Sequence, residues 1–122
     1  MPDRVYECGS VRVFECTLNG PLLRTDRDAI DLISASASAN ADWTIVPVAR
    51  FDPEFFALRT RLAGEFLQKF VSYGKHIAIL GEIPVQFSQS RALTDFVMEC
   101  NRGRHIWFVG SHEELAERLS NA

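Results

Sequence analysis

Two short apolar runs, Trp43 to Val48 and His76 to Leu80, flank a stretch in which phenylalanines recur at helical spacing, and this arrangement constrains the chain more than any other feature. Runs of that length bounded by turn residues are expected of central strands buried on both faces of a sheet. A helix connects them. At about 100° per residue, Phe55, Leu62, Ala63, Phe66, Leu67 and Phe70 share one side, while Arg61, Glu65, Gln68, Lys69 and Ser72 share the other. Arg59 falls with the apolar group. An isolated buried guanidinium is very costly, so a helix that runs through Arg59 needs a carboxylate, carbonyl groups or a bound anion there. Alternatively, Asp52-Pro53 starts a short turn over Asp52 to Leu58, Thr60 caps the main helix, and Arg59 sits in the break.

The remaining elements follow from turn and cap signals. Val5 to Cys8 and Val11 to Cys16 are rich in β-branched and aromatic residues, and Gly9-Ser10 between them is a two-residue hairpin signal. After the Asn19-Gly20-Pro21 turn, Thr25 and Asp28 have the spacing of a capping box for a helix reaching about Asn40. Its second half, Ser34 to Ala39, alternates serine and alanine and lets a neighbour approach closely. A third helix is expected from about Gln89 to Cys100, stopped by Asn101-Arg102-Gly103, then a last strand from His105 to Val109. Ser111 and Glu114 cap a final helix carrying Leu115 and Leu119. The expected order is β-β-α-β-α-β-α-β-α. It describes an α/β domain over residues 1–122, with a mixed sheet, an N-terminal antiparallel hairpin and helices on the sheet faces.

Composition narrows the function classes. A chain of 122 residues with 47% hydrophobic and 24% charged residues has room for one good core. No apolar run has the length of a membrane span, and the N-terminus lacks the order of a signal peptide, which reads as a cytoplasmic protein without membrane attachment. A net charge of -3 makes nucleic acid an unlikely partner. Cys8, Cys16 and Cys100 have no CxxC spacing, and the histidines have no nearby cluster of ligating residues, so neither a disulfide framework, a metal site nor any other cofactor is expected. Cys100 lies near Arg102 and Arg104, but inert packing is its expected role. Trp43 and Trp107 read as sheet-packing groups.

Ligands of such sheets bind outside the carboxyl ends of the strands. That edge should carry Arg50, Asp52, Arg59, Thr60, Glu82, Ser88, Ser90, Ser111 and His112, whereas Lys69, Lys75, His76, Arg102, Arg104 and His105 gather at the opposite edge, where cations complement helix C-termini.

The string from Asp52 to Phe70, together with Ser90-Arg-Ala-Leu-Thr-Asp95-Phe96 and Glu99-Cys-Asn101-Arg102-Gly103, resembles the bacterial domain of unknown function 4180 family over most of the chain. That resemblance implies no activity. The element order is also similar to the STAS domain of anti-sigma factor antagonists, in which a serine at the helix start after a strand is phosphorylated to control partner binding. Arg59-Thr60-Arg61-Leu62 occupies the corresponding place, without that family's acidic residue, paired hydroxyls and glycine.

Two functions are carried forward. The first is a non-enzymatic regulatory or protein-interaction module, whose partner uses the surface around Thr60, Arg61, Glu65 and Arg91. A homodimer through the hairpin of Tyr6 and Phe14 is also open. The second is a small-anion site or an enzyme in which Arg50 and Arg59 grip a carboxylate or phosphate and Glu82 acts as base, which requires the three to converge.

Overall fold

Residues 3–120 are described by a computed structural model. The strands are β1 (Arg4–Cys8), β2 (Val11–Glu15), β3 (Trp43–Pro47), β4 (His76–Leu80) and β5 (Ile106–Val109), and the helices are α1 (Asp26–Ser38), α2 (Leu62–Ser72), α3 (Arg91–Arg102) and α4 (His112–Ser120). They follow the order read from the sequence. The sheet order is β1-β2-β3-β4-β5; β1 is antiparallel to β2, and β2 through β5 are parallel. In the hairpin, Cys8 pairs with Val11 and Gly9 has a φ of 64°, a left-handed conformation that glycine adopts at little cost.

Each parallel connection moves the chain one strand in the same direction, so right-handed crossovers put α1, α2 and α3 on one sheet face. Helix α4 leaves the last strand and lies on the other. The first layer buries Phe14, Ile33, Val46, Phe66, Phe70 and Leu93 beneath the three helices; the second buries Val13, Trp43, Ile45, Trp107, Leu115 and Leu119. All of β3 is buried, as its apolar run requires. α1 packs against α2, with Ser36 in its small-residue stripe buried. Thr25 and Asp28 form the expected capping box. α3 begins at Arg91 rather than near Gln89, because Ser90 is its cap and accepts from the Leu93 N–H, while Val85–Phe87 forms a separate turn.

The buried arginine is Arg50, only 8% exposed. Its Nε and Nη2 donate to the Pro21 carbonyl and its Nη1 to that of Thr17, at 2.9–3.2 Å. The backbone reinforces this contact, because Leu23 N–H donates to Arg50 O and Asp52 N–H to Leu23 O. A Cβ on Gly20 would lie 2.8 Å from the guanidinium carbon, so the loop passes over Arg50 in glycine's absence of a side chain. Arg50 therefore ties the β2–α1 loop to the exit of β3.

The two sheet edges differ. On β5 the outward Phe108 N–H donates to Asn101 Oδ1, and the Gly110 N–H just beyond donates to Glu114 Oε1. Arg118 in turn donates to the Asn101 carbonyl. No such side-chain cap meets β1 among the described residues.

Replacing Arg50 with leucine leaves two carbonyls without their donors, and each buried unsatisfied group costs about 1–3 kcal/mol. The Arg50→Leu variant is expected to lose about 3 kcal/mol in urea unfolding. A loss under about 0.5 kcal/mol would show that water replaces the guanidinium freely.

Candidate functional site

Between β3 and α2 the chain makes three one-turn helical pieces, Val48–Arg50, Pro53–Phe56 and Leu58–Thr60. Asp52 accepts from the Glu54 N–H at 2.9 Å, and Phe55 and Phe56 are buried, so the second turn is capped and anchored. α2 starts only at Leu62. The arginine conflict in the sequence is thus resolved by the break: Arg59 is exposed and forms no ion pair among the described residues.

Thr60 does not cap α2. Its hydroxyl is spent on closing the preceding turn, with Ala57 O at 2.7 Å and Glu54 O at 3.0 Å, while it accepts weakly from Leu62 N–H at 3.3 Å. The cap position belongs to Arg61, whose side chain makes no capping bond. Arg61 has φ 66° and ψ 4°, a left-handed conformation that costs a side-chain-bearing residue of order 1 kcal/mol or more.

This elbow faces two shallow cavities. Arg61 and Glu65 line one of about 440 Å³ with Leu58, Gly64 and Phe96. Arg59 lines one of about 380 Å³ with Leu58, Phe87 and Ser90 among others. A smaller apolar cavity of about 260 Å³ adjoins Phe87 and includes Ile83, Leu93, Val97 and Met98. Val85 and Met98 stand out nearby, 82% and 50% exposed. Arg91 is exposed at the start of α3. The three residues expected to converge on an anion are employed differently. Arg50 is turned inward onto Thr17 and Pro21, Arg59 faces the groove with Phe87 and Ser90, and Glu82 is exposed without a hydrogen bond to either.

A different group of polar residues meets at the carboxyl end of β2. Glu15 is 12% exposed in its side chain and accepts from the Tyr6 hydroxyl; His112 Nε2 lies 3.0 Å from both carboxylate oxygens and Arg4 Nη2 at 3.4 Å. Burial pushes the Glu15 carboxyl upward, but hydrogen bonds from Tyr6 and His112 and the positive charges of His112 and Arg4 outweigh it, holding the group below its ordinary value. Burial, followed by the bond to Glu15, raises the Tyr6 phenol. Glu15 was missed in the sequence, and Tyr6 was singled out only for a hairpin edge, because both sit in ordinary strands. The available signal was period two: Val11, Val13 and Glu15 share one face, so the carboxylate ends an apolar stripe.

Burial disfavours the thiolate of two of the cysteines. Burial pushes Cys16 up to about 12 and Cys100 up to about 11, so Arg102 and Arg104 do not activate Cys100. Among the described residues, no three of His, Cys, Asp and Glu are grouped to hold a metal ion, and no helix is long and apolar enough to cross a membrane.

Residues 8–119 match the family model described as Domain of unknown function (DUF4180). The chain belongs to the DUF4180 family. The matched span runs from the end of β1 almost to the end of α4, so it includes the elbow, Glu15 and His112. No curated protein and no solved structure matches the chain significantly.

The depressed Glu15 carboxyl has a signed consequence. Its stabilisation is full above the unfolded carboxylate range and is lost as pH falls through the lower folded value. Glu15→Gln is expected to cost about 1 kcal/mol near pH 6 in urea unfolding, with the gap to wild type closing as pH drops below about 4. A gap that stays constant to acid pH would mean that the charge of Glu15 contributes nothing.

Proposed function

We propose that this DUF4180 protein is a cytoplasmic regulatory or protein-interaction module, acting as one α/β unit, and that its partner binds the elbow leading into α2. The observation that carries this reading is Arg61, a strained left-handed residue whose exposed side chain, like that of the neighbouring Arg59, has no ion-pair or hydrogen-bond partner among the described residues. Strain of this kind is retained where the exposed side chain has a use, since glycine would relieve it. Around the two guanidinium groups, Leu58, Phe87 and Phe96 provide apolar contact, while Val85 and Met98 extend it. Cations beside an apolar strip suit an acidic partner segment with hydrophobic anchors.

The similarity to STAS order supports the same placement, because the elbow occupies the position of that family's regulatory loop. Phosphorylation of Thr60 is a poor fit to the internal use of its hydroxyl, which binds two carbonyls. Recognition through Arg59, Arg61 and Glu65 accounts for the surface without modification. The small-anion alternative using Arg50, Arg59 and Glu82 receives less support, since Arg50 is committed to carbonyl partners.

Arg61→Gly separates folding from function. Relief of the left-handed strain is expected to raise stability by about 0.5–1 kcal/mol. Photo-crosslinking in cells from position 65 should give one discrete adduct, weakened by Arg61→Gly and abolished with Arg59→Ala as well, whereas position 113 on α4 should give none. Equal adduct patterns at both positions, or one indifferent to both substitutions, would refute this partner surface.

A further inference from the structure

On the second sheet face, aromatic rings form one continuous stack. Trp43 opens β3, His76 opens β4, and His105 immediately precedes β5. Their ring centres follow one another at 4.8 and 5.0 Å, close to the spacing of paired strands, about 4.8 Å. Trp107 is on β5, yet its ring centre is 4.3 Å from that of Trp43 on β3. Its indole must lean across β4, where the residue paired with it is Ala78. The Arg118 guanidinium closes this end, 4.2 Å from the Trp107 ring centre.

In such a stack the ring faces are occupied by one another. What remains for a ligand is the ring edges, which carry the positive end of the aromatic quadrupole and the N–H donors. Here they border a cavity of about 490 Å³ lined by Trp43, His76, Arg104 and Trp107. The donors divide clearly. Trp107 Nε1 donates to Gly103 O at 2.9 Å. His76 Nδ1 lies 2.8 Å from Arg104 O, a contact that requires the proton on Nδ1 and leaves Nε2 uncommitted. The Trp43 indole N–H has no acceptor among the described residues, although Trp43 is only 6% exposed. No described side-chain nitrogen is both sealed from solvent and unpartnered, so this donor keeps contact with solvent, and Trp43 is one of the four residues that line the cavity. Arg104 is exposed, forms no ion pair among the described residues, and has no carboxylate beside it in the cavity lining.

The geometry points to an oxyanion subsite at the amino edge of the sheet, which receives the carboxylate or phosphate group of a small molecule. The Arg104 guanidinium and Trp43 Nε1–H are its donors, with the edge of the His76 ring beside them. Lys75 immediately precedes His76 at the same edge, whereas Arg102 is paired with Glu99 at 3.2 Å. This subsite is separate from the elbow, so a small molecule and a protein partner occupy different surfaces.

The chain has two tryptophans, and both line this cavity. A proton–nitrogen correlation spectrum therefore has two indole signals, assigned by Trp43→Phe, which keeps a ring in the stack and deletes one donor. Titration with inorganic phosphate at constant ionic strength is expected to move the Trp43 indole signal saturably and that of Trp107 much less. Arg104→Ala should weaken the midpoint at least about tenfold, as loss of a charge-assisted contact does. Arg27→Ala, in the exposed first turn of α1, should leave it unchanged. Parallel titration with benzoate distinguishes carboxylate from phosphate preference. Absence of a saturable shift with both anions, or an Arg104→Ala midpoint equal to wild type, overturns the subsite.

Discussion

A sheet whose parallel crossovers all run the same way can place only its last helix on the second face. That constraint, set by right-handed connection and sequential strand order, governs the rest of this molecule. Three helices cover one side, and the nine residues of α4 are left for the other. The two sides are consequently sealed by different means. Beneath α1 to α3 the filling is aliphatic and phenylalanine, arranged edge to face around Phe51, Phe55 and Phe66. Beneath α4 the shortage of helix is made up by flat rings laid side by side across three strands.

The same economy explains why polar chemistry gathers at both ends of α4. At its start His112 reaches Glu15, and near its end Arg118 covers Trp107 and holds Asn101. A short helix that crosses a sheet needs its ends fixed, because it has little area of its own to bury. The Glu15 contact fixes one end electrostatically. At the other end, the guanidinium of Arg118 joins a π face to a helix carbonyl.

What the sequence made legible was local or periodic. Gly9-Ser10, Thr25 with Asp28, and the apolar runs of β3 and β4 each specify their conformation within a few residues, and the element order follows from them. Arg59 drew attention because it disturbed a period, and the break that exposes it was one of two readings the residues allowed. Arg50 gave no such signal. Its burial depends on carbonyl groups of Thr17 and Pro21, about thirty positions earlier, which no pattern around Arg50 encodes. Glu15 was hidden for the converse reason: its strand pattern was visible, but its partner His112 is 97 residues away. The start of α1 was legible from its capping box, that of α3 to within two residues, and that of α2 was misplaced at Thr60, where the hydroxyl ends one turn instead of beginning the next.

The unequal strand edges set a limit on growth. With the Phe108 and Gly110 N–H groups occupied by Asn101 and Glu114, a visiting strand beside β5 finds two of its donors already taken. Among the described residues, no side chain takes the strand-edge donors of β1, which makes it the more open edge for strand-by-strand joining. Two copies joined through β1 would each use their more open edge and turn the partly capped β5 outward, an arrangement that favours a closed pair over a growing fibre.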